Sequence, residues 1–200
     1  MTSREERVFA HSVDLPPGYV PDPQRHLGNI RDSTHFTKAA KWLESIGAKT
    51  VLDVGSYDGW LDFLLIAKGF SVVGVELIEG LADAAVRYGN RNFLEYEVQM
   101  GYFLDIELGR TFDAVICFET LEHMPLDDAR ESAKRFASLA RKGVMVSLPD
   151  QDHHQNPQHL FTPTEALIKD IWGGMPGYTL EYVPYPGTTI PANWFISHRC

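Results

Sequence analysis

Cysteine is scarce in this sequence, and long apolar runs are missing from it. The 200 residues include two cysteines. Cys117 lies inside an apolar run and Cys200 is the last residue, so the sequence does not indicate a disulfide framework and suits a reducing compartment. No stretch approaches the roughly 20 apolar residues of a membrane span, and the first residues contain no apolar signal-peptide core. We therefore expect a cytoplasmic protein that does not cross a membrane.

Basic clusters are also absent. The sequence has 18 lysine and arginine residues against 27 acidic ones, and its formal net charge is -9. This balance does not favour binding along a nucleic-acid backbone, which requires positive charge. The length suits one domain with a full hydrophobic core. A small-molecule ligand is therefore favoured over nucleic acid, and the oligomeric state stays open.

Strands and helices alternate from residue 50 onward. Short apolar runs at 50–55, 71–76 and 112–119 are separated by stretches in which apolar residues recur at helical spacing. Such alternation is typical of parallel strands joined by helices. The segments 179–185 and 193–199 have no helix between them and should form an antiparallel hairpin. The sequence thus predicts an α/β fold with a three-layer doubly wound sheet of seven strands, mostly parallel with an antiparallel last strand.

The segment before the first strand has a different composition. Residues 1–31 contain four prolines, and an amphipathic helix follows them up to Gly47. Because mobile segments often close over ligand pockets, we expect residues 1–47 to form an N-terminal arm and helix that act as a lid, and residues 48–200 to form the main domain. Residues 127–141 predict the clearest helix, with acidic residues at its start and basic residues at its end.

A glycine-containing turn follows the first strand, at the edge where open α/β sheets bind ligands. Gly55 and Gly59 would let the backbone approach a ligand closely. Glu76 ends the second strand 21 residues after Gly55, where an acid can accept both hydroxyls of a ribose. Tyr57 replaces the second glycine of a dinucleotide motif, and Asp53 suits a cationic amino group better than a pyrophosphate. The turn therefore favours a nucleoside that carries an amino acid over NAD.

Four motifs in this order resemble the class I, seven-stranded methyltransferases that depend on S-adenosylmethionine. The motifs are TVLDVGSYDG, GVE at 74–76, FDAVICFETLEH at 112–123 and HLFTPTEAL at 159–167, and the resemblance covers roughly residues 48–200. It implies S-adenosylmethionine as cofactor, S-adenosylhomocysteine as product and the strand order 3-2-1-4-5-7-6. The cofactor-binding residues that it implies by position are Asp53, Gly55, Ser56, Tyr57, Gly59, Glu76, Leu77, Gln99 and Phe118.

The resemblance also implies a role for each of these residues. The first turn would hold the methionine part of the cofactor, Glu76 the ribose and Leu77 the adenine, while Phe118 would lie near the methyl donor. The acid that the family usually has after the third strand is not obvious, and Gln99 is the residue we expect at the adenine edge.

A second group of polar residues follows the fourth strand and includes Glu119, Glu122 and His123. If this stretch is helical, its spacing puts the three side chains on one face, and His159 follows the fifth strand at the same rim. In one interpretation His123 and His159 act as base or orienting group. In the other, all four residues bind a divalent metal, as in the methyltransferases of small-RNA 3′ ends that the pattern resembles. It also resembles ubiquinone-pathway O-methyltransferases. The metal-free interpretation is favoured.

The function that the sequence indicates is methyl transfer to an oxygen or nitrogen atom of a small, partly apolar molecule. Three alternatives stay open: a metal-dependent methyltransferase of RNA 3′-end ribose, an NAD-dependent oxidoreductase, and a non-catalytic partner protein with a methyltransferase fold. The sequence names neither the acceptor nor the general base.

Overall fold

Seven strands form one sheet in the computed structural model, which describes residues 15–92, 94–150, 158–173, 177–186 and 192–200. The strands are β1 Thr50–Val54, β2 Ser71–Glu76, β3 Glu97–Met100, β4 Phe112–Phe118, β5 Ala140–Pro149, β6 Thr179–Val183 and β7 Asn193–Arg199. Their order is β3-β2-β1-β4-β5-β7-β6. Neighbours from β3 to β5 pair in parallel, whereas β7 pairs antiparallel with both β5 and β6. The predicted fold class, strand order and antiparallel hairpin are confirmed.

Helices cover both faces of this sheet. They are α1 Pro23–Leu27, α2 Ile30–Ser45, α3 Trp60–Ala67, α4 Glu79–Arg91, α5 Leu126–Leu139 and α6 Glu165–Trp172, with short 3-10 helices at Phe103–Asp105 and Leu121–His123. Successive residues of β1 point to opposite faces. Val51 joins the apolar core under α2 and α3, and Leu52 joins the core under α5 and α6. The sheet is therefore the middle of three layers.

Helix α2 belongs to the core of the domain. Ala39, Ala40 and Leu43 are at most 3% exposed and pack with residues of β1 and α3. The helix begins after Asn29, whose side chain accepts hydrogen bonds from the backbone amides of Arg31 and Asp32. The helical part of region 1–47 is thus built into the domain, and a lid role concerns the residues that precede it.

Helix α5 ends earlier than the sequence suggests. It stops at Leu139, and Arg141 and Lys142 belong to β5 instead of the helix terminus. Their side chains approach Asp113 at N–O distances of 3.0 and 3.6 Å, and β5 pairs with β4 from Ala140 onward. Strand pairing and these ion pairs decide the boundary, so the expected helix-dipole role of the two basic residues is wrong.

The cysteines and the helices bear on two expectations from the sequence, the absence of disulfides and of membrane spans. Cys117 is buried and Cys200 exposed, and neither forms a disulfide. Among the helices of the described residues, none combines the length and the apolar character that crossing a membrane requires.

Candidate cofactor and acceptor site

A cavity of about 440 Å³ opens at the C-terminal ends of β1, β2 and β4. This volume falls in the range of small-molecule sites. The predicted residues that line the cavity are Asp53, Gly55, Ser56, Tyr57, Glu76, Leu77, Phe118, Glu119 and His123. Side chains from α2 and from the segment before it complete the wall, namely His26, Arg31, Asp32 and His35.

The turn after β1 requires glycine at its first position. Gly55 has φ +82°, and a Cβ atom there would lie 2.1 Å from Oγ1 of Thr120. Its amide and that of Ser56 donate to the carbonyl of Val75, which ties the turn to β2. Gly59 plays a different part: it precedes α3 with φ +79°, and its Cβ would meet the ring of Phe63 at 2.9 Å. Gly59 therefore permits helix packing and does not line the cavity.

Glu76 is held in place by backbone amides. Tyr57 donates its amide to Oε2 and Ile78 donates to Oε1, each at 2.8 Å. A carboxylate oxygen has a second lone pair, so both oxygens can still accept hydrogen bonds from ligand hydroxyls. Burial raises the pKa of Glu76 to about 7, although these amide bonds oppose the shift. The geometry fits a ribose at the end of β2.

Asp53 contacts a second buried acid, which the sequence motifs did not indicate. Burial raises the pKa of Asp53 to about 6, and its carboxyl shares a hydrogen bond with Asp62 of α3. Burial, followed by the charge of Asp53, raises the pKa of Asp62 well above its usual range, so the proton of the pair lies on Asp62. Tyr96 donates its hydroxyl to Asp62. A lone acid inside the apolar stretch WLDFLLIA of α3 was the available signal.

The structure does not bring Gln99 to the cavity. Its amide donates to the exposed Glu97 at 2.6 Å, because β3 is an edge strand and Glu97 and Gln99 lie on the same face of it. The wall beyond β3 is formed instead by Gly101, Tyr102 and Phe103. Gln99 is therefore not among the residues that line the cavity, and its expected adenine contact stays a prediction.

The polar residues that were expected to cluster after β4 lie in two different places. Glu119 has φ +51°, so the chain leaves the strand through a left-handed residue, and the stretch that follows is a 3-10 helix from Leu121 to His123. The expectation that Glu119, Glu122 and His123 share one helical face is wrong for this reason. Ligand atoms of Glu122, His123 and His159 lie within 4.8 Å of one another, and Glu119 is not part of that group.

The three residues of this group differ in their access to the cavity. Glu122 is 1% exposed, and its Oε2 has no hydrogen-bond partner among the described residues. His123 lines the cavity, and Nδ1 lies 3.2 Å from the carbonyl of Gln158. His159 packs its ring edge-on against His123, with centroids 4.9 Å apart, and lies outside the cavity wall. One carboxylate and two imidazoles are donors that suit a divalent metal.

Glu119 instead faces α2 and the last strands. Its Oε1 accepts hydrogen bonds from the hydroxyl of Ser147 at 2.8 Å and from the amide of Asn193 at 2.6 Å. Nε2 of His35 lies 3.0 Å from the same Ser147 hydroxyl oxygen. Burial raises the pKa of Glu119 and lowers the pKa of His35 to about 3. No local pattern in the sequence indicates these contacts, since the partners come from α2, β5 and β7.

The segment before α2 reaches over the cavity. His26 stacks on Trp60, with ring centroids 4.6 Å apart, and its Nδ1 lies 2.8 Å from Oδ2 of Asp32. Tyr19 donates its hydroxyl to Asp58 in the turn after β1. His153 and His154, two further histidines that follow β5 in the sequence, lie outside the described residues.

Fold and cavity together define a doubly wound α/β domain with a ligand-sized cavity at the C-terminal ends of its strands, where the buried acid Glu76 lies. The family model described as a methyltransferase domain matches residues 19–176. The ubiquinone biosynthesis O-methyltransferases of Coxiella burnetii and Nitrosomonas europaea are each 34% identical to the chain. The first match covers 50% of this chain and 42% of the relative, and the second 50% and 43%.

Solved structures show the same fold at low identity. Magnesium protoporphyrin IX methyltransferase from Synechocystis PCC 6803, with bound SAH, aligns with a TM-score of 0.69 at 18% identity over 98% of this chain and 92% of its own. The methyltransferase domain of bacterial CtHen1 aligns with a TM-score of 0.67 at 19% identity, over 84% and 99%. The chain belongs to the methyltransferase domain family, within the class I, S-adenosylmethionine-dependent methyltransferases that the sequence motifs predicted.

Proposed function

We propose that this chain transfers the methyl group of S-adenosylmethionine to an oxygen or nitrogen atom of a small molecule. The observation that carries the proposal is one cavity, lined by the Gly55 turn and Glu76, where the cofactor would bind, and also by His35, Phe118 and His123, which would form the acceptor compartment. The curated relatives named O-methyltransferases support an oxygen acceptor, although the matches span less than half of their length.

The residues of the chain bind and align the cofactor. S-adenosylmethionine supplies an electrophilic methyl group when it is bound. Glu76 accepts the ribose hydroxyls, and Asp53, supported by Asp62, receives the amino group of the methionine part. The glycine at position 55 lets the turn approach the ligand, and Phe118 borders the place where the methyl group is transferred. Alignment and exclusion of water provide most of the rate enhancement in such a displacement.

The acceptor compartment suits a small, partly apolar molecule. Trp60, Phe118 and Met124 line it together with the imidazole rings of His26 and His35. RNA is not favoured, because the formal net charge is -9 and phosphate backbones require positive charge. An oxidoreductase or a non-catalytic partner is disfavoured by the family match and by the presence of Asp53, Gly55 and Glu76 at the cavity. A cytoplasmic location is part of the proposal.

We assign the catalytic role to His123, because it lines the cavity. His159 orients His123 through the edge-on contact of their rings. We retain the metal-free mechanism, because Glu119 is not part of the Glu122–His123–His159 group. The competing mechanism places a divalent cation on those three residues, where it would lower the pKa of an acceptor hydroxyl. The unpartnered Oε2 of Glu122 is the observation in its favour.

Residues 15–29, which precede α2, are the lid of this proposal. The contacts of Tyr19 with Asp58 and of His26 with Trp60 hold this segment against the domain, and His26 and Trp60 both line the cavity. Cofactor and acceptor would enter before the segment closes.

Calorimetric titration tests the proposal with S-adenosylmethionine and NAD in separate experiments. We expect binding of S-adenosylmethionine and none of NAD; the opposite result would overturn the assignment. Turnover of a phenolic or amine substrate panel is then measured after exhaustive chelation, with Mg²⁺, Mn²⁺ and Zn²⁺ added back separately. Undiminished turnover supports the metal-free mechanism. Loss with selective rescue, abolished in Glu122→Ala, establishes the metal mechanism instead.

A further inference from the structure

Glu119 occupies a backbone conformation that its surroundings must enforce. Its φ of +51° is uncommon for a residue other than glycine and costs free energy. Two donors fix its carboxylate, Ser147 from β5 and Asn193 from β7. Tyr185 donates to Oδ1 of Asn193 at 2.9 Å, which orients the amide so that its NH₂ group faces Glu119. Strained backbone and converging donors together indicate a side chain whose direction is functionally required.

The two oxygens of this carboxylate have different environments. Oε1 accepts the hydrogen bonds from Ser147 and Asn193. Oε2 accepts no hydrogen bond from any described residue, and the nearest cation is Nη1 of Arg31 at 3.9 Å, beyond hydrogen-bond distance. Because Glu119 lines the cavity and its side chain is 20% exposed, Oε2 remains available as a hydrogen-bond acceptor for a ligand.

Aromatic rings line the same cavity as this available oxygen. Phe118 and His35 line the cavity with ring centroids 5.1 Å apart, and Phe195 packs behind His35 at 5.2 Å. His35 is 2% exposed and neutral, since burial lowers its pKa to about 3. A flat aromatic ligand fits such a wall, and a hydroxyl donor on it would satisfy the carboxylate oxygen.

We propose that Oε2 of Glu119 binds the hydroxyl of a phenolic acceptor and receives its proton during methyl transfer. This inference rests on the proposed function and names the substrate class of its acceptor compartment. In the step, the phenolic oxygen forms a bond to the methyl carbon and the carbon–sulfur bond breaks, with its electron pair remaining on sulfur. The hydroxyl proton moves to Glu119. The positive sulfonium and the negative carboxylate thereby both become neutral.

A matched pair of probes distinguishes this role from a structural one. The probes are 2-naphthol, which carries a hydroxyl donor, and 2-methoxynaphthalene, which has the same rings without the donor. Their dissociation constants are measured by ligand-observed NMR on protein saturated with S-adenosylhomocysteine, in the presence of a chelator. In Glu119→Gln, the amide oxygen can keep the contacts with Ser147 and Asn193, so that the NH₂ group replaces the accepting oxygen in the cavity.

We expect wild-type protein to bind 2-naphthol more tightly than its methyl ether. In Glu119→Gln that preference should fall by about tenfold, equivalent to about 1.4 kcal/mol, with little change for the ether. Equal affinities in the wild type, failure of the wild type to bind 2-naphthol, or an unchanged preference in the variant would each overturn the proposal. Glu97→Gln makes the same chemical change on an exposed residue outside the cavity and should leave both affinities unchanged.

Two further measurements keep the outcome interpretable. Affinity for S-adenosylhomocysteine and the unfolding temperature are recorded for every variant. If Glu119→Gln does not fold, Glu119→Asp replaces it: the carboxylate is kept but withdrawn, so 2-naphthol should bind more weakly and the ether equally well. An aspartate variant with wild-type affinity for 2-naphthol would contradict the proposal. Absence of S-adenosylhomocysteine binding in the wild type would instead refute the proposed function itself.

Discussion

Glu76 and Glu119 end parallel strands at the same edge of the sheet, yet they are held in different ways. Backbone amides of residues 2 and 19 positions away in sequence bind Glu76. Side chains 28 and 74 positions away bind Glu119. Every residue except proline supplies a backbone amide, so the support of Glu76 depends mainly on the path of the chain. The support of Glu119 depends on which side chains β5 and β7 carry.

This difference separates the two halves of the cavity. The cofactor half consists of a turn and a strand end that lie close in sequence, and its geometry follows from the fold. The half proposed for the acceptor is lined by residues of α2 and of the segment after β4, with β5 and β7 supporting Glu119 through Ser147 and Asn193, and its chemistry changes with single side-chain replacements. Variation of substrate within one fold is expected to reside in such a half.

Gly55→Ala should produce the largest effect, because it disrupts the turn that forms the cofactor half of the cavity. Positive φ costs alanine roughly 1–2 kcal/mol, and the clash with Thr120 adds overpacking of roughly 1–3 kcal/mol. We expect S-adenosylmethionine binding to be lost and the free energy of unfolding to fall by about 2–5 kcal/mol, as measured by calorimetry and urea unfolding. Gly47→Ala is the control, because φ is +64° there but no atom lies within 4 Å of the added Cβ. Equal effects in both variants would contradict the assignment.

Glu76→Ala should have an intermediate effect on cofactor affinity. Loss of hydrogen bonds to a charged group costs about 1.5–3 kcal/mol, so the dissociation constant of S-adenosylmethionine should rise by about 10- to 100-fold. The control is Glu79→Ala, which removes an exposed acid at the start of α4 and should change nothing. Unchanged affinity in Glu76→Ala would remove this residue from the ribose site.

Titration of Glu76 should make both stability and S-adenosylmethionine affinity depend on pH, which tests the cofactor half a second way. Its pKa is 4.5 as an ordinary group and about 7 in the folded protein. Between these values the folded protein binds a proton that the unfolded chain has released, so the contribution of Glu76 to stability falls as pH rises through this window. Affinity for S-adenosylmethionine should rise through about pH 7, where the carboxylate ionises. In Glu76→Gln, the pH dependence centred at about 7 should disappear from both the stability profile and the affinity profile. The pH dependence caused by Asp53 should remain.

Tyr19→Phe should have the smallest effect, and it tests whether the cofactor half depends on distant contacts at all. The variant removes the hydroxyl that donates to the carboxylate of Asp58. A hydrogen bond to a charged group contributes about 1.5–3 kcal/mol, but neither side chain lines the cavity, so only part of this should appear in ligand affinity. We expect the affinity for S-adenosylmethionine to fall by less than about tenfold. Tyr88→Phe, whose ring packs on Phe63, is the control. A larger loss in Tyr19→Phe would show that the arm contributes as much as the strand ends.

Much of the fold and half of the site could be predicted from local patterns. Strand and helix periodicity predicted the order of elements, and the spacing from Gly55 to Glu76 predicted the cofactor half. Gln99 was expected to line the cavity, but its amide donates to Glu97 on the edge strand β3. A single segment does not reveal that it will form an edge strand. The end of α5 was misplaced because Arg141 and Lys142 find Asp113 only after the sheet has formed.

The sequence by itself determined the doubly wound fold, the glycine turn and the acid at the end of β2, because periodicity, chain reversal and strand ends are properties of short segments. Only the tertiary structure decided that Glu119 leaves the group of Glu122, His123 and His159 for Ser147, Asn193 and His35. A left-handed residue at the end of β4 redirects its side chain, and the partners that stabilise this conformation come from three elements distant in sequence. Contacts of that kind exist only once the sheet and α2 have packed together.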